Sequence, residues 1–150
     1  MLNIRTGAGW LAIFLGLSLG ACNKTEGTPA QATDTAKAAI KTLSVAELEA
    51  LLEAANKPAV YDANSAETRA EYGVIPGAKL LSSSRDFDVS RELPSNKEAP
   101  LVFYCGSTKC QAAEGAADKA VLAGYADVGV MRDGIKGWAK AGKPTCKVRT

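Results

Sequence analysis

The sequence predicts a single α/β domain over residues 43–150, with a mostly parallel central sheet and helices on both faces. Three observations predict it. Short apolar runs alternate with segments of helical spacing, the order that parallel strands joined by crossover helices require. Glycine and proline punctuate nearly every junction. The composition, 47% apolar and 23% charged over 150 residues, is that of a chain able to bury one core.

The elements follow in order. Ser44-Val45-Ala46-Glu47 has the form of a capping box, with Leu43 and Leu48 spaced as a hydrophobic staple. Val45, Leu48, Leu51, Leu52 and Ala55 continue at helical spacing until Lys57-Pro58. Ala59 to Asp62 reads as a short buried strand, and residues 65–72 as one or two helical turns. Gly73 and Pro76-Gly77 interrupt the chain before a second weak strand, Ala78 to Leu81. Residues 82–98 are polar and irregular. Leu101-Val102-Phe103-Tyr104 is the strongest strand, followed by an alanine-rich helix from about Thr108 to Ala123 that Gly124 closes as C′ residue. Ala126 to Met131 is a further strand and Ile135 to Ala141 a last helix, with Trp138 on its buried side.

The first 42 residues read differently. Arg5 precedes the apolar run Trp10 to Leu19, too short for a transmembrane helix of about 20 residues but suited to a signal peptide spanning 1–21. The run closes on Leu19-Gly20-Ala21-Cys22, which resembles the lipobox of bacterial lipoproteins. That resemblance implies cleavage after Ala21, lipidation of Cys22 and export to the cell envelope. Asn23 in place of aspartate points to the outer membrane, facing the periplasm, if the source is Gram-negative. An ordinary secretory signal with a chance cysteine is the alternative. Residues 22–42 hold one large aliphatic side chain, Ile40, and no aromatic, so they read as a disordered tether with a reach of about 25 Å.

Composition also excludes chemistry. The chain has no histidine, which removes Ser-His-Asp and Cys-His catalysis and His-ligated zinc or haem. Eighteen basic against sixteen acidic residues, net +2, make no electrostatic case for nucleic acid. With Cys22 lipidated, Cys105, Cys110 and Cys146 are too few for a zinc site, so neither metal nor cofactor is expected. Four residues separate Cys105 from Cys110, where a thioredoxin-like pair has two. A cysteine phosphatase needs arginine six residues after its cysteine, and position 111 is Gln.

Cys105 remains. It is the first residue after the strongest strand and leads into a helix, where free backbone amides and the helix dipole favour a thiolate near neutral pH. Ligands of such sheets bind beyond the carboxyl ends of the strands. Gly106, Ser107, Thr108, Lys109 and Cys110 complete a loop that a curled backbone would turn into an anion cradle. Gly106 clears side-chain bulk, Ser107 and Thr108 supply hydroxyls, and Lys109 supplies a cation, although Thr108 also suits a helix cap and Lys109 a solvated helix start. Asp62 fits orienting backbone better than acid–base work. The basic excess from Arg132 to the terminus reads as a solvated face.

Four motifs in order resemble the rhodanese family of sulfurtransferases: Tyr61-Asp62-Ala63-Asn64, Gly73-Val74-Ile75-Pro76-Gly77-Ala78, Val102-Phe103-Tyr104-Cys105, and Arg132 to Trp138 with Ala141-Gly142-Lys143-Pro144. The resemblance covers about residues 43–144. It implies a rhodanese-like fold and a Cys105 that takes sulfane sulfur from a small anionic donor such as thiosulfate. The resulting persulfide passes sulfur to a thiol or cyanide-type acceptor. A non-turnover persulfide-carrying, redox-sensing or interaction module is the alternative. The loop departs from the family at Thr108 and Cys110, and Val74 stands where histidine is usual. The resemblance also implies that Cys110 looks back toward Cys105, as a redox partner; a weak S–H donor or a structural pair with Cys146 are the competing roles.

Overall fold

The computed structural model describes residues 39–148, so the expected signal peptide, Cys22 and most of the expected tether lie outside the described residues. Five strands, β1 (Lys41–Leu43), β2 (Ala59–Asp62), β3 (Lys79–Leu80), β4 (Leu101–Tyr104) and β5 (Val128–Met131), form one sheet in the order β1-β5-β4-β2-β3. Every neighbouring pair is parallel. Four helices connect them, α1 (Val45–Glu53), α2 (Ala66–Tyr72), α3 (Val89–Glu92) and α4 (Ala112–Leu122), and α5 (Gly134–Lys140) follows β5. The predicted fold class holds, with the sheet parallel throughout.

Strand alternation divides the core into two layers. Tyr61, Leu101, Phe103, Val128 and Val130 face α4, whose Ala113, Ala116, Ala117 and Ala120 let its backbone sit close to the sheet. Val60, Val102, Tyr104 and Met131 face the other way, against Val45 and Leu48 of α1 and Ile135 and Trp138 of α5. Trp138 is therefore core, and its indole N–H donates to the Pro144 carbonyl at 2.8 Å. The capping box of α1 forms as expected: Ser44 Oγ accepts from the Glu47 amide, and Glu47 accepts from the Ser44 amide at 2.7 Å. Gly124 follows α4 with φ of +90°, the left-handed C′ conformation.

Three elements depart from expectation. β1 begins at Lys41, two residues inside the segment read as tether. It has no strand pattern of its own; the edge of β5 recruits it, pairing Lys41 with Gly129 and Leu43 with Met131. In the segment read as irregular, Asp88 caps the single turn α3 by accepting from the Ser90 amide, and buried Phe87 and Leu93 pin both sides. One turn is too short for periodicity to register. Finally, α4 starts at Ala112 rather than near Thr108, because Cys110 N–H closes a turn onto the Ser107 carbonyl at 2.9 Å. Thr108 is thus an exposed loop residue and caps no helix.

Candidate active site

The alternation of β4 decides where its cysteine points. Leu101 and Phe103 face α4, so Cys105, two residues further on, emerges at the strand's carboxyl end on the same side. The loop is anchored from the opposite face. Ile135 N–H donates to the Cys105 carbonyl at 2.8 Å and Lys136 N–H to the Gly106 carbonyl at 3.1 Å. Both donors belong to the first turn of α5, which leaves them without helical partners. Gly134 makes this approach possible. It adopts φ of +64°, and a Cβ there would lie 2.5 Å from the Cys105 carbonyl oxygen and 2.6 Å from Ser107 N.

Beside β4, the end of β2 carries a buried polar cluster. Asp62 is fully buried; its Oδ1 accepts the Asn64 amide at 2.6 Å and its Oδ2 the Tyr104 hydroxyl at 2.8 Å. Tyr104 Oη in turn accepts the Ile75 amide at 3.1 Å. Arg69 Nε lies 3.4 Å from Asp62 Oδ1 as an ion-pair contact rather than an aligned hydrogen bond, while its Nη2 donates to the Asp62 and Leu81 carbonyls. Asp62 therefore orients backbone, as expected. Burial, then the Asp62 charge, hold the Tyr104 hydroxyl far above its ordinary range.

Above these two strand ends lies a cavity of about 410 Å³, lined among others by Asn64, Ser84, Gly106, Lys109, Cys110 and Lys136. Ser107 also lines it; an adjoining hollow adds Arg85 beside Lys109 and Cys110. The surroundings are polar and cationic, suited to a small anion. A larger hollow, about 670 Å³, sits at the opposite end of the sheet, by Pro58, Pro100 and Asp127, away from every candidate residue. The loop residues Gly106, Ser107, Lys109 and Cys110 thus gather around one cavity, and Thr108 stays outside it.

The cysteine itself is not the thiolate expected from the sequence. Cys105 is 3% exposed, and its Sγ–H donates to the Cys110 carbonyl at 3.3 Å. Burial first, then the Cys110 side chain, push the thiol up to about 12, with the Glu114 charge adding to them. The Ala113 amide opposes them by favouring the charged form. Three free cysteines occur among the described residues. Cys110 is half-buried against the α4 layer, whereas exposed Cys146 bridges Val74 through backbone, next to Ile75 of the α1/α5 layer. The two lie on opposite faces of the sheet, which removes a Cys110–Cys146 staple.

Five residues of the site were not singled out from sequence, among them Lys136 of α5, which lines the cavity. Asn64 is 8% exposed with its Nδ2 unpartnered, and it borders Gly106 across the cavity. Its place two residues beyond Asp62, just past the end of the strand next to β4, is a signal that pairing order would have given. Gly134 sits where a turn enters a helix; Glu114, ion-paired to Arg132 at 3.0 Å, lies in the first turn of α4. Ser84 comes from the irregular segment and carries no signal of its own.

A family model described as rhodanese-like domain matches residues 44–141. No curated protein matches the chain. Among solved structures, a polysulfide-sulfur transferase homodimer from Wolinella succinogenes superposes with a TM-score of 0.58 at 18% identity, covering 71% of this chain and 78% of that one. A rhodanese-like domain protein from Staphylococcus aureus gives 0.54 at 21% identity, covering 74% and 100%. A protein from Rhodopseudomonas palustris described as a possible tyrosine phosphatase gives 0.56 at 22% identity, covering 71% and 85%. At these identities the likeness is one of fold.

Proposed function

This chain belongs to the rhodanese-like domain family, and from that premise we propose that it is an envelope sulfurtransferase working through a persulfide on Cys105. The observation that supports the reading is a strand-end thiol, Cys105, beneath a cavity lined by Lys109 and Lys136. A donor such as thiosulfate enters with its negative charge toward these lysines and the unpartnered Asn64 amide. The Cys105 thiolate attacks the outer sulfur, sulfite leaves with the bond's electron pair, and a persulfide remains. A thiol or cyanide-type acceptor then takes the outer sulfur and returns the thiolate. No histidine is needed, but a proton must leave Cys105 first, so loading accompanies displacement of the Cys110 carbonyl from the sulfur.

Thiosulfate should add about 32 Da to the reduced protein at Cys105, and Cys105→Ser should lose the adduct and all transfer to cyanide. Turnover by the serine variant would refute the mechanism. A second reading, a rhodanese-like module that holds persulfide without turnover, is favoured by the thiol's position at about 12. Loading without cyanide-dependent release would select it. We further propose that residues 1–21 are a lipoprotein signal and that Cys22 anchors the protein to the envelope membrane through its lipid, the part of segment 22–42 ahead of the folded domain serving as tether. Wild-type protein should partition into detergent and Cys22→Ala into the aqueous phase.

A further inference from the structure

We propose that Cys110 is a resolving thiol that discharges a loaded Cys105 as hydrosulfide, giving the site a sulfide-releasing activity besides sulfur transfer. The step rests on the reading that Cys105 accepts sulfane sulfur. Its geometric basis is the contact between the two residues. Cys105 Sγ already lies 3.3 Å from the Cys110 carbonyl oxygen, which places the Cys110 Cα within about 6 Å of that sulfur by backbone dimensions. The Cys110 side chain is near enough to act on the Cys105 thiol, and a loop adjustment that brings the two sulfurs together closes the bridge. Both cysteines are free, and Cys110 packs against the same α4 layer as Cys105 while also lining the cavity. Cys146 is on the other face and does not compete.

The reaction balances without an added oxidant. Cys110 Sγ attacks the inner sulfur of the Cys105 persulfide. The Cys105–Cys110 bond forms, the sulfur–sulfur bond of the persulfide breaks, and the outer sulfur leaves with its electron pair and the Cys110 proton as hydrosulfide. The two cysteines are oxidised to a disulfide, and the sulfane sulfur is reduced to sulfide. An external dithiol reductant then restores both thiols. The direction of attack decides the product. Attack on the outer sulfur, the route of an external acceptor, expels the Cys105 thiolate and only moves the persulfide to Cys110. Attack on the inner sulfur expels hydrosulfide and closes the disulfide. Being intramolecular, the step also outpaces dilute external acceptors.

The test compares full-length Cys146→Ser with Cys110→Ser/Cys146→Ser, each reduced and given thiosulfate anaerobically without acceptor. In the first, about one equivalent of sulfide should appear per chain, with a Cys105–Cys110 disulfide in the peptide map. The second should retain the persulfide and release at least tenfold less sulfide. Equal sulfide release by both, or a stable persulfide on both, overturns the resolving role and leaves the sulfurtransferase reading standing. No persulfide and no sulfide from either protein overturns the sulfurtransferase reading and this step with it. A dithiol–disulfide redox buffer supplies a readout independent of sulfur loading: failure to form the Cys105–Cys110 bond at any poise overturns the proposal.

Discussion

The carboxyl ends of β2 and β4 are neighbours in the sheet, yet they are finished in opposite ways. At β2, Asp62 is buried with both carboxylate oxygens hydrogen-bonded and Arg69 alongside, and the cluster ties β2, β4 and the Ile75 turn together. At β4, Cys105 is equally buried but offers one weak S–H bond, and its loop is held by carbonyls it lends to α5. At one end both carboxylate oxygens of Asp62 are satisfied; at the other the polarisable Cys105 sulfur holds only weak contacts. The difference separates frame from reagent. A buried charge survives only when its partners are complete, which rigidifies the strand end. A thiol tolerates burial without partners and so stays available for chemistry.

The sharpest way to break this contrast is Asp62→Ala. It leaves the Tyr104 hydroxyl proton and the Asn64 amide without their acceptor and Arg69 without its carboxylate, and should cost about 3–5 kcal/mol of stability in denaturant unfolding. Sulfur loading of the fraction still folded should change little, about threefold or less on the scale of a lost surface contact. A loss below about 1 kcal/mol would mean that the polar cluster is not what secures the β2 end.

Gly134→Ala attacks the other end. Its Cβ would meet the Cys105 and Gly106 backbone at 2.5 and 2.6 Å, so the loop must shift. Loading of Cys105 should fall about 100-fold, as expected for an ångström-scale misplacement of a reacting group. Rapid-quench mass measurement of the persulfide would read this; an unchanged rate would show that the α5 anchor does not position the sulfur.

The pH dependence sharpens the comparison without mutation. With the Cys105 thiol pushed up to about 12, its thiolate fraction, and with it the loading rate, should rise about tenfold per pH unit between 7 and 10. A plateau near neutrality would show a thiolate already formed. The sign for stability is opposite. The folded state holds this proton more tightly than the unfolded chain, so stability is full below about pH 9 and falls above it. Smallest is Ser44→Ala, which removes the cap accepting the Glu47 amide of α1 at 3.3 Å and should cost about 1 kcal/mol without altering loading.

By itself the sequence determined the order of strands and helices, the parallel class of the sheet, the Ser44–Glu47 cap and the emergence of Cys105 at a strand end. These follow from local spacing, because side-chain alternation and capping depend on residues a few positions apart. The tertiary structure alone decided three matters: that Lys41–Leu43 becomes a strand, that Asn64, Ser84 and Lys136 share one cavity with Cys110, and that Cys105 is a protonated thiol. The last inverts the expectation from a strand-to-helix junction. Helix dipole and free amides are local and legible, whereas desolvation is set by how much of the distant chain closes over the sulfur. Here that cover, together with the Cys110 side chain, outweighs the Ala113 amide.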